Sequence, residues 1–280
     1  MTIAQKPEHE LSTGARPAGT TTELSAAEEV QQMFDTIAPT YDLSNHILSM
    51  GLDRWMWSRA ARAFRATLQR PESIALDLCC GTGDMTLALL KHRPDAAPHS
   101  LGLSFRSEAE ESAFQSAQVP PPAPILAVDF SHQMLSRGAE KFAPHNIIPI
   151  EADALHLPIA SNSIDLVTSA FGFRNLSNYE EGLAELHRIL RPGGQIGILE
   201  CNQPEGLIGT LYNLYFKGIL PKVGGLISGQ RGAYTYLPAS VERFPRPSRM
   251  LQLIRSAGFQ DATWTSYVLG TAGLYKATKP

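Results

Sequence analysis

The chain has 280 residues, of which 43% are hydrophobic, so it is long enough to bury the core of one large domain. The chain has a formal net charge of -3. Proteins that bind nucleic acids usually carry an excess of Lys and Arg to neutralise the phosphates, so no nucleic-acid partner is expected. Its three cysteines include no C-x-x-C pair, which argues against a disulfide framework and a zinc site, and no metal is predicted.

The N-terminal part begins with a segment that has few large apolar residues. Residues 1–24 are rich in Thr, Ala, Glu, Pro and Gly and predict a disordered tail. Order is expected from Ser25, which forms a capping-box pattern with Glu28 and starts a helix that ends at Pro39. A second helix is predicted over residues 53–68. Neither a signal peptide nor an apolar run of about 18 residues is present, so a cytoplasmic protein is expected.

Strands and helices alternate from residue 73 onward. Short apolar runs predict five buried strands, over residues 74–78, 125–128, 147–150, 164–169 and 195–200. A helix over residues 248–257 then precedes two closing strands, near 263–268 and 273–277, which pair antiparallel. This order predicts an α/β fold with a Rossmann-like, doubly wound sheet, mostly parallel with a C-terminal antiparallel strand. One domain is expected over residues 25–280.

Two segments interrupt this alternation. Residues 96–124 end in a proline-rich run and predict a disordered loop insertion, with a lid as the alternative. Residues 203–247 predict an apolar helix followed by a loop, as an insertion on the substrate side of the domain. Residues 206–227 within it fit three interpretations: an ordinary core helix, a wall of an apolar tunnel, or contact with a membrane surface.

The clearest chemical signal is the segment ALDLCCGTGD over residues 75–84. A strand here feeds a Gly-x-Gly turn that opens a helix, so free backbone N–H groups can meet a carboxylate or a phosphate. Thr86 stands where a nicotinamide-dependent dehydrogenase has its third glycine, which argues against that class of enzyme. Asp77 and Asp84 flank the turn, and an acidic pair suits the ammonium group of a methionine moiety better than a pyrophosphate.

Two further acids follow the next two predicted strands. Asp129 ends the second strand, where a carboxylate can accept hydrogen bonds from both ribose hydroxyls. Asp153 follows the third strand and precedes Ala154, so that a carboxylate and a backbone N–H can together bind an adenine edge. A plain turn aspartate is the alternative at each position. Three acids at the ends of three successive strands favour a nucleoside cofactor at this edge of the sheet.

Five motifs stand out along the chain: FDTIAPTYD at 34–42, DLCCGTGD at 77–84, FGFRN at 171–175, RILRPGG at 188–194 and AYTYL at 233–237. Together they resemble the UbiE/MenG family of C-methyltransferases of ubiquinone and menaquinone biosynthesis. The resemblance spans about residues 30–280 and implies a class I methyltransferase fold that uses S-adenosyl-L-methionine. The cofactor-binding residues predicted from the turn, the strand ends and the resemblance are Asp77, Gly81, Thr82, Gly83, Asp129, Asp153, Ala154 and Ala170.

The sequence departs from the family pattern in three places. Cys79 and Cys80 stand where the family more often has Ala-Gly, residues 96–124 are inserted beside the cofactor pocket, and Pro238 follows the Tyr-x-Tyr-Leu stretch. The proline lies on the substrate side, so we expect it to leave cofactor binding unchanged.

The resemblance also implies that a prenylated quinol is methylated on a ring carbon, converting demethylmenaquinol to menaquinol or acting on the ubiquinone precursor. Arg174 follows the fourth strand and is the first candidate to stabilise the phenolate, with Asn175 orienting it. The alternative is that Arg174 pairs with an acid and orders its loop. Tyr41, His46 and Tyr234 are further candidates for contacts with the ring or a proton, with packing or surface positions as the alternative.

Two other functions remain open from the sequence. One is an O- or N-methyltransferase of another apolar small molecule, and the other is a non-catalytic cofactor-binding subunit of a quinone-synthesis complex. Besides the quinol, the partners predicted are the inner face of the membrane, in peripheral contact, and a second copy of the chain in a homodimer.

Overall fold

The structure is a computed structural model and describes residues 14–17, 19–42, 46, 49, 51–94, 121–204, 206–214, 218 and 231–280. The helices are α1 (Glu23–Ile37), α2 (Leu52–Arg62), α3 (Arg65–Leu68), α4 (Asp84–Leu90), α5 (His132–Phe142), α6 (Tyr179–Ile189), α7 (Gly206–Asn213), α8 (Arg231–Arg243) and α9 (Pro247–Ser256). The strands are β1 (Ala75–Leu78), β2 (Ile125–Asp129), β3 (Ile147–Glu151), β4 (Ile164–Ala170), β5 (Leu190–Cys201), β6 (Gln260–Tyr267) and β7 (Ala272–Thr278).

These strands form one sheet in the order β3-β2-β1-β4-β5-β7-β6. Strands β1 to β5 pair parallel with one another, while β7 pairs antiparallel with both β5 and β6. The predicted Rossmann-like sheet with an antiparallel C-terminal strand is therefore confirmed. The strand order reverses between β1 and β4, and open α/β sheets bind ligands in the crevice at the carboxyl ends of the strands at such a point.

The sheet is covered on both faces, which explains the continuous apolar runs of its central strands. In β1, Leu76 and Leu78 point into the cluster that contains residues of α6 and α9. Ala75 points into the opposite cluster, formed with residues of α2 and α4. Asp77 is the exception in this strand, because it is a carboxylate with 0% of its surface exposed.

The predicted helix over 53–68 is two helices, because the chain turns at Ala63 and Phe64 between α2 and α3. The turn places the Phe64 ring, 1% exposed, against Gly197 of β5. A Cβ at Gly197 would lie 2.4 Å from that ring, so the close contact requires glycine. The prediction of one helix is wrong here because a packing contact between distant residues outweighs the local helical pattern.

The N-terminal segment corrects the predicted tail. The Ala15 N–H donates to the Leu176 carbonyl at 2.7 Å, and Ala15 is buried. Helix α1 begins before the predicted Ser25: Thr22 is its N-cap, and Thr22 and Ser25 form the capping box reciprocally, without Glu28. Within 1–24, residues 1–13 and 18 lie outside the described residues.

The two predicted insertions have different outcomes. Residues 96–120 lie outside the described residues, so the loop interpretation stays a prediction, while the Ala123 N–H donates to the Pro71 carbonyl at 2.7 Å. In the second insertion, α7 confirms the predicted apolar helix. None of the helices in the described ranges is long and apolar enough to span a bilayer.

The loop predicted after α7 is wrong over residues 231–243, which form α8. Val241 in α8 and Phe244 just beyond it are buried, and the Phe244 ring centroid lies 5.5 Å from that of Tyr179. This packing against the core outweighs the hydrogen bond that Pro238 removes from the helix interior.

Candidate active site

The Gly-x-Gly turn after β1 has a strained backbone. Cys79, Gly81 and Gly83 have φ angles of 53°, 56° and 90°, a region that glycine adopts without a Cβ clash. Gly83 has a second constraint, because a Cβ there would lie 2.2 Å from the ring of Phe142 on α5. The absence of side chains at Gly81 and Gly83 lets a ligand approach the backbone of the turn closely.

Asp129, at the end of β2, fixes this turn. One carboxylate oxygen accepts from the Gly81 N–H at 2.7 Å, and the other accepts from the Ser131 N–H at 2.9 Å. Burial raises the pKa of Asp129 above its ordinary value, although these hydrogen bonds to the charged form act in the opposite direction. A carboxylate can accept about four hydrogen bonds, so an anchored Asp129 can still accept from a ligand hydroxyl.

A first cavity, which is open to solvent and contains about 710 Å³ of empty space, lies at this edge of the sheet, beside α1. Asp129, Asp153 and Ala154 line it together, as the sequence predicts. The Asp153 carboxylate accepts from the Leu155 N–H at 3.0 Å, which fixes its orientation. Apolar side chains form much of the remaining wall, among them Ala27, Val30, Phe34, Phe130 and Met134.

A second cavity, also open to solvent and with about 1350 Å³ of empty space, adjoins the first one. Its wall is largely apolar and includes Leu52, Met56, Trp57, Met85, Leu237, Val268 and Ala272. The two cavities share part of their lining, which consists of Tyr41, Cys79, Gly81, Ala170 and Phe171. The two cavities therefore meet at these residues, so a group bound beside them in one cavity would lie close to a molecule bound beside them in the other.

Arg174 lines the second cavity and forms a buried ion pair. Its Nη1 lies 2.9 Å from Oε2 of Glu200, and its backbone N–H donates to Oε1 of the same residue at 3.0 Å. Burial is the largest single effect and lowers the pKa of Arg174, but the charge and hydrogen bond of Glu200, together with Cys201 and Tyr41, outweigh it and raise the pKa above the ordinary value. The guanidinium is therefore a fixed positive charge at the wall of this cavity, and its pairing with an acid also fits the ordering role that the sequence leaves open.

Asn175 lines the first cavity, next to Arg174 in the chain. Its side-chain oxygen accepts from the Tyr236 hydroxyl at 3.1 Å, and burial raises the pKa of Tyr236 to about 12. Tyr236 thus ties α8 to the turn after β4. Tyr234 lies in α8, but its side chain is outside the described residues.

Tyr41 and His46 differ in position. Tyr41 lines both cavities, with its ring edge-on to Phe34 at a centroid distance of 6.0 Å. His46 Nδ1 lies 2.5 Å from Oδ2 of Asp53, and Asp53 lines the second cavity. Tyr41 is therefore at the place where the cavities meet, whereas His46 contacts the second cavity through Asp53.

Thr82 is buried and lines the second cavity. Its hydroxyl donates to Asp42 at 2.5 Å, and Lys141 lies 2.8 Å from the other oxygen of Asp42. Lys141 also lies 3.5 Å from Asp84. These contacts join the segment after α1 to the turn and α5.

Asp77 and Asp84, the two acids that flank the turn, do not line a common cavity. Asp84 lines the second cavity, whereas Asp77 lies beneath the turn and lines neither cavity. The two carboxylate oxygens of Asp77 accept from the hydroxyls of Thr86 at 2.7 Å and Thr168 at 2.9 Å. Thr86, which stands in place of a third glycine, therefore fixes the Asp77 side chain through its hydroxyl. Asp77 in turn stabilises the end of β1, from which the turn begins.

Asp77 makes the folding stability pH dependent. Burial raises its pKa from 3.8 to about 7 against the opposing effect of the two threonine hydroxyls. The folded state therefore retains a proton that the unfolded state loses, and the free energy of unfolding falls as pH rises from about 4 to about 7. We expect Asp77→Asn to remove a slope of up to about 1.4 kcal/mol per pH unit in this interval. Urea denaturation across these pH values measures it, and identical slopes in both proteins contradict the assignment.

Several residues at the site are absent from the sequence-based predictions. Glu200 and Tyr236 hold Arg174 and Asn175, and Phe171, with a φ of 58°, lies at the shared wall. Glu200 carries a recognisable signal, because a charged residue near the carboxyl end of a buried parallel strand needs a partner. Within the described ranges no group of three or more His, Cys, Asp or Glu residues is placed to hold a metal, and the absence of a metal stays a prediction.

The sheet order, the glycine turn and the acids at successive strand ends together define an S-adenosylmethionine-dependent methyltransferase of the Rossmann-like class. The model of the ubiE/COQ5 methyltransferase family matches residues 22–279. The chain belongs to this family, and it is an enzyme of the methyltransferase class.

Curated relatives support the family at full length. A demethylmenaquinone methyltransferase of Deinococcus radiodurans is 41% identical over 255 residues, covering 90% of this chain and 93% of the relative. A ubiquinone/menaquinone biosynthesis C-methyltransferase UbiE of Geotalea daltonii is 34% identical, covering 90% of this chain and 97% of the relative. Both alignments span nearly the whole of each protein, so the similarity is not limited to the glycine turn.

Solved structures support the fold. A methyltransferase of Thermotoga maritima, described as a possible histamine N-methyltransferase, has a TM-score of 0.57 at 14% identity, covering 90% of this chain and all of that one. The cyclase SpnF has a TM-score of 0.59 at 15% identity, covering 96% of this chain and 99% of that one. These two proteins share the fold but have different activities, so the fold alone leaves the reaction undetermined and the residues of the site decide it.

Proposed function

We propose that the protein transfers the methyl group of S-adenosyl-L-methionine to a ring carbon of a prenylated quinol, converting demethylmenaquinol to menaquinol. The observation that carries this proposal is the pair of cavities that share one wall. The first cavity is lined by strand-end acids, and the second is larger, apolar and lined by a buried arginine. The similarity to a demethylmenaquinone methyltransferase and to a ubiquinone/menaquinone biosynthesis C-methyltransferase favours this acceptor.

The first cavity fits the cofactor on three points. Asp129 offers acceptors for ribose hydroxyls, and Asp153 with Ala154 offers an acceptor and a backbone N–H for an adenine edge. The turn at Gly81 allows the ligand to approach the backbone. When bound, the cofactor supplies an electrophilic methyl group on its sulfonium. Ala170 lines both cavities, which suits a position close to that methyl group.

The second cavity fits the acceptor. Its apolar wall can take an aromatic ring together with the start of a prenyl tail. Methyl transfer to carbon needs an electron-rich ring, which a quinol supplies when one hydroxyl loses its proton. The fixed charge of Arg174 stabilises the phenolate oxygen electrostatically, while Tyr41 at the shared wall positions the ring.

Asp129 provides a test of the cofactor end. We expect Asp129→Asn to weaken S-adenosyl-L-methionine binding about 10- to 100-fold, because it removes charge-assisted hydrogen bonds and places an amide against one backbone N–H. Glu151→Gln, at the half-exposed end of neighbouring β3, is the matched control and is expected to bind normally. Calorimetric titration measures both, and equal affinities for the two variants count against this placement of the ribose.

Methyl transfer from labelled S-adenosyl-L-methionine tests the proposed reaction. Reduced demethylmenaquinone and the reduced ubiquinone precursor are offered in detergent, and we expect label in the first acceptor. Label only in the second assigns the other pathway. Cofactor binding without label in either contradicts the proposed substrate and favours a non-catalytic subunit or another apolar acceptor.

The location follows from the proposed substrate. A prenylated quinol resides in the bilayer, so we propose a cytoplasmic protein in peripheral contact with the inner face of the membrane. The homodimer stays a prediction, which analytical ultracentrifugation in the presence of cofactor can test.

A further inference from the structure

Helix α2 carries an exposed stripe of unusual composition. Leu52 and Trp55 have 39% and 48% of their surface exposed, and the same face continues at helical spacing with Arg59 and Arg62. The only acid of α2 is Asp53, which is buried and paired with His46. The exposed stripe therefore combines large apolar side chains with positive charge alone.

The turn that follows β6 extends this stripe. Leu269 in this turn has 76% of its surface exposed, although a leucine in such a position would usually be buried. The turn is joined to α2 through Tyr267, whose ring centroid lies 5.6 Å from that of Trp55. The Arg59 guanidinium lies 5.6 Å from the Trp55 centroid and 5.5 Å from the Tyr267 centroid.

The backbone of this turn is held in a conformation that side chains rarely adopt. Val268 and Leu269 have φ angles of 45° and 57°, and a β-branched residue is seldom found there. The conformation turns Val268 into the lining of the second cavity and leaves Leu269 exposed. Such strain persists where the surrounding structure enforces it, and it clusters at functional sites.

The stripe also borders the second cavity. Leu52, which is exposed, and Val268, in the turn of Leu269, both line that cavity. An apolar path therefore leads from the outer surface into the proposed acceptor site. A molecule with a long apolar tail can enter along it without exposing the tail to water.

We infer that Leu52, Trp55, Arg59, Arg62 and Leu269 form a docking surface that rests on an anionic lipid bilayer at the mouth of the acceptor cavity. A tryptophan and leucines beside arginines suit the boundary between acyl chains and negative headgroups. The purely basic charge of the stripe complements anionic lipid. The inference rests on the proposed function, because the prenyl tail of the substrate is what would pass from the bilayer into the cavity.

Vesicle co-sedimentation of the full chain tests this surface, with phosphatidylcholine vesicles that contain or lack phosphatidylglycerol. We expect Trp55→Ser/Leu269→Ser to bind the anionic vesicles at least about tenfold more weakly than the unchanged protein. Arg62→Ser is expected to lose about fivefold, and only with anionic lipid. The matched control is Ile148→Ser, which removes an apolar residue 45% exposed on β3 at the opposite edge of the sheet and is expected to bind normally.

Three results would overturn the inference. They are equal binding of the double variant and the unchanged protein, no binding to either vesicle, and a dimer in ultracentrifugation that the double variant abolishes. An assay of methyl transfer to a short-chain, water-soluble quinol distinguishes failure of the docking surface from failure of the proposed reaction, because this quinol does not have to be taken from a bilayer. Turnover without vesicle binding refutes the docking surface alone, whereas Trp55- and Leu269-dependent binding without transfer to any quinol refutes the proposed function alone.

Discussion

Arg174→Ala is expected to lower kcat by about 100- to 1000-fold, because the phenolate loses its positive partner as the methyl group is transferred. Cofactor affinity is expected to change little, because Arg174 lines the second cavity and not the first. Discontinuous assays of label transfer from the cofactor at saturating quinol measure kcat, and calorimetric titration measures cofactor affinity.

The same substitution carries a structural cost that has to be separated from catalysis. Glu200 has 0% of its surface exposed, and removing Arg174 leaves its charge buried without a cation. We expect the free energy of unfolding to fall by about 3–5 kcal/mol. A low rate in Arg174→Ala alone therefore does not distinguish a catalytic residue from a residue that orders its loop.

A double variant separates these two roles. Arg174→Ala/Glu200→Gln removes the unpaired charge, and the glutamine oxygen can still accept from the backbone N–H at position 174. We expect this variant to regain much of the lost stability while its kcat stays low. Recovery of both stability and kcat would show that Arg174 acts only by ordering the turn after β4.

Gly83→Ala is expected to disrupt the cofactor turn for two physical reasons. A left-handed φ of 90° costs about 1–2 kcal/mol for alanine, and the new Cβ would lie 2.2 Å from the Phe142 ring. Relieving that overlap adds about 1–3 kcal/mol. Because Gly81 and Thr82 lie in the same turn, we expect cofactor binding to weaken strongly as well. Chemical denaturation and calorimetric titration measure the two effects.

The chain offers a matched control for this prediction. Gly193 also has a positive φ, 79°, but a Cβ there meets nothing within 4 Å. Gly193→Ala should therefore show the backbone cost alone and bind the cofactor normally. Adding Phe142→Leu to Gly83→Ala should restore part of the stability, since it removes ring atoms from the overlap. Equal losses in Gly83→Ala and Gly193→Ala would contradict the contact with Phe142.

The elements that sequence reasoning predicts well are those determined by local pattern. The central strands β1, β2 and β4 are apolar runs covered on both faces, and each of the five predicted parallel strands overlaps an observed one. Asp129 and Asp153 were predictable as site residues because parallel strands end at the same edge of the sheet, so acids at successive ends converge.

The features that sequence reasoning misses depend on contacts between distant residues. The break between α2 and α3 follows from the contact of Phe64 with Gly197, and α8 is stabilised by packing at Val241 despite Pro238. The partner of Arg174 lies on β5, where no spacing rule points to it. Asp77 resembles a ligand residue in sequence, yet two threonine hydroxyls hold it beneath the turn.

The position of the new methyl group distinguishes methylation of the ring carbon from methylation of oxygen. Demethylmenaquinol deuterated at its free ring carbon is incubated with the protein and S-adenosyl-L-methionine, and the product is analysed by mass spectrometry. Methylation of that carbon expels the deuterium, so the predicted product gains a methyl group and loses the label. A product that gains a methyl group and keeps the deuterium is methylated elsewhere, on oxygen for example, and contradicts the account of the site.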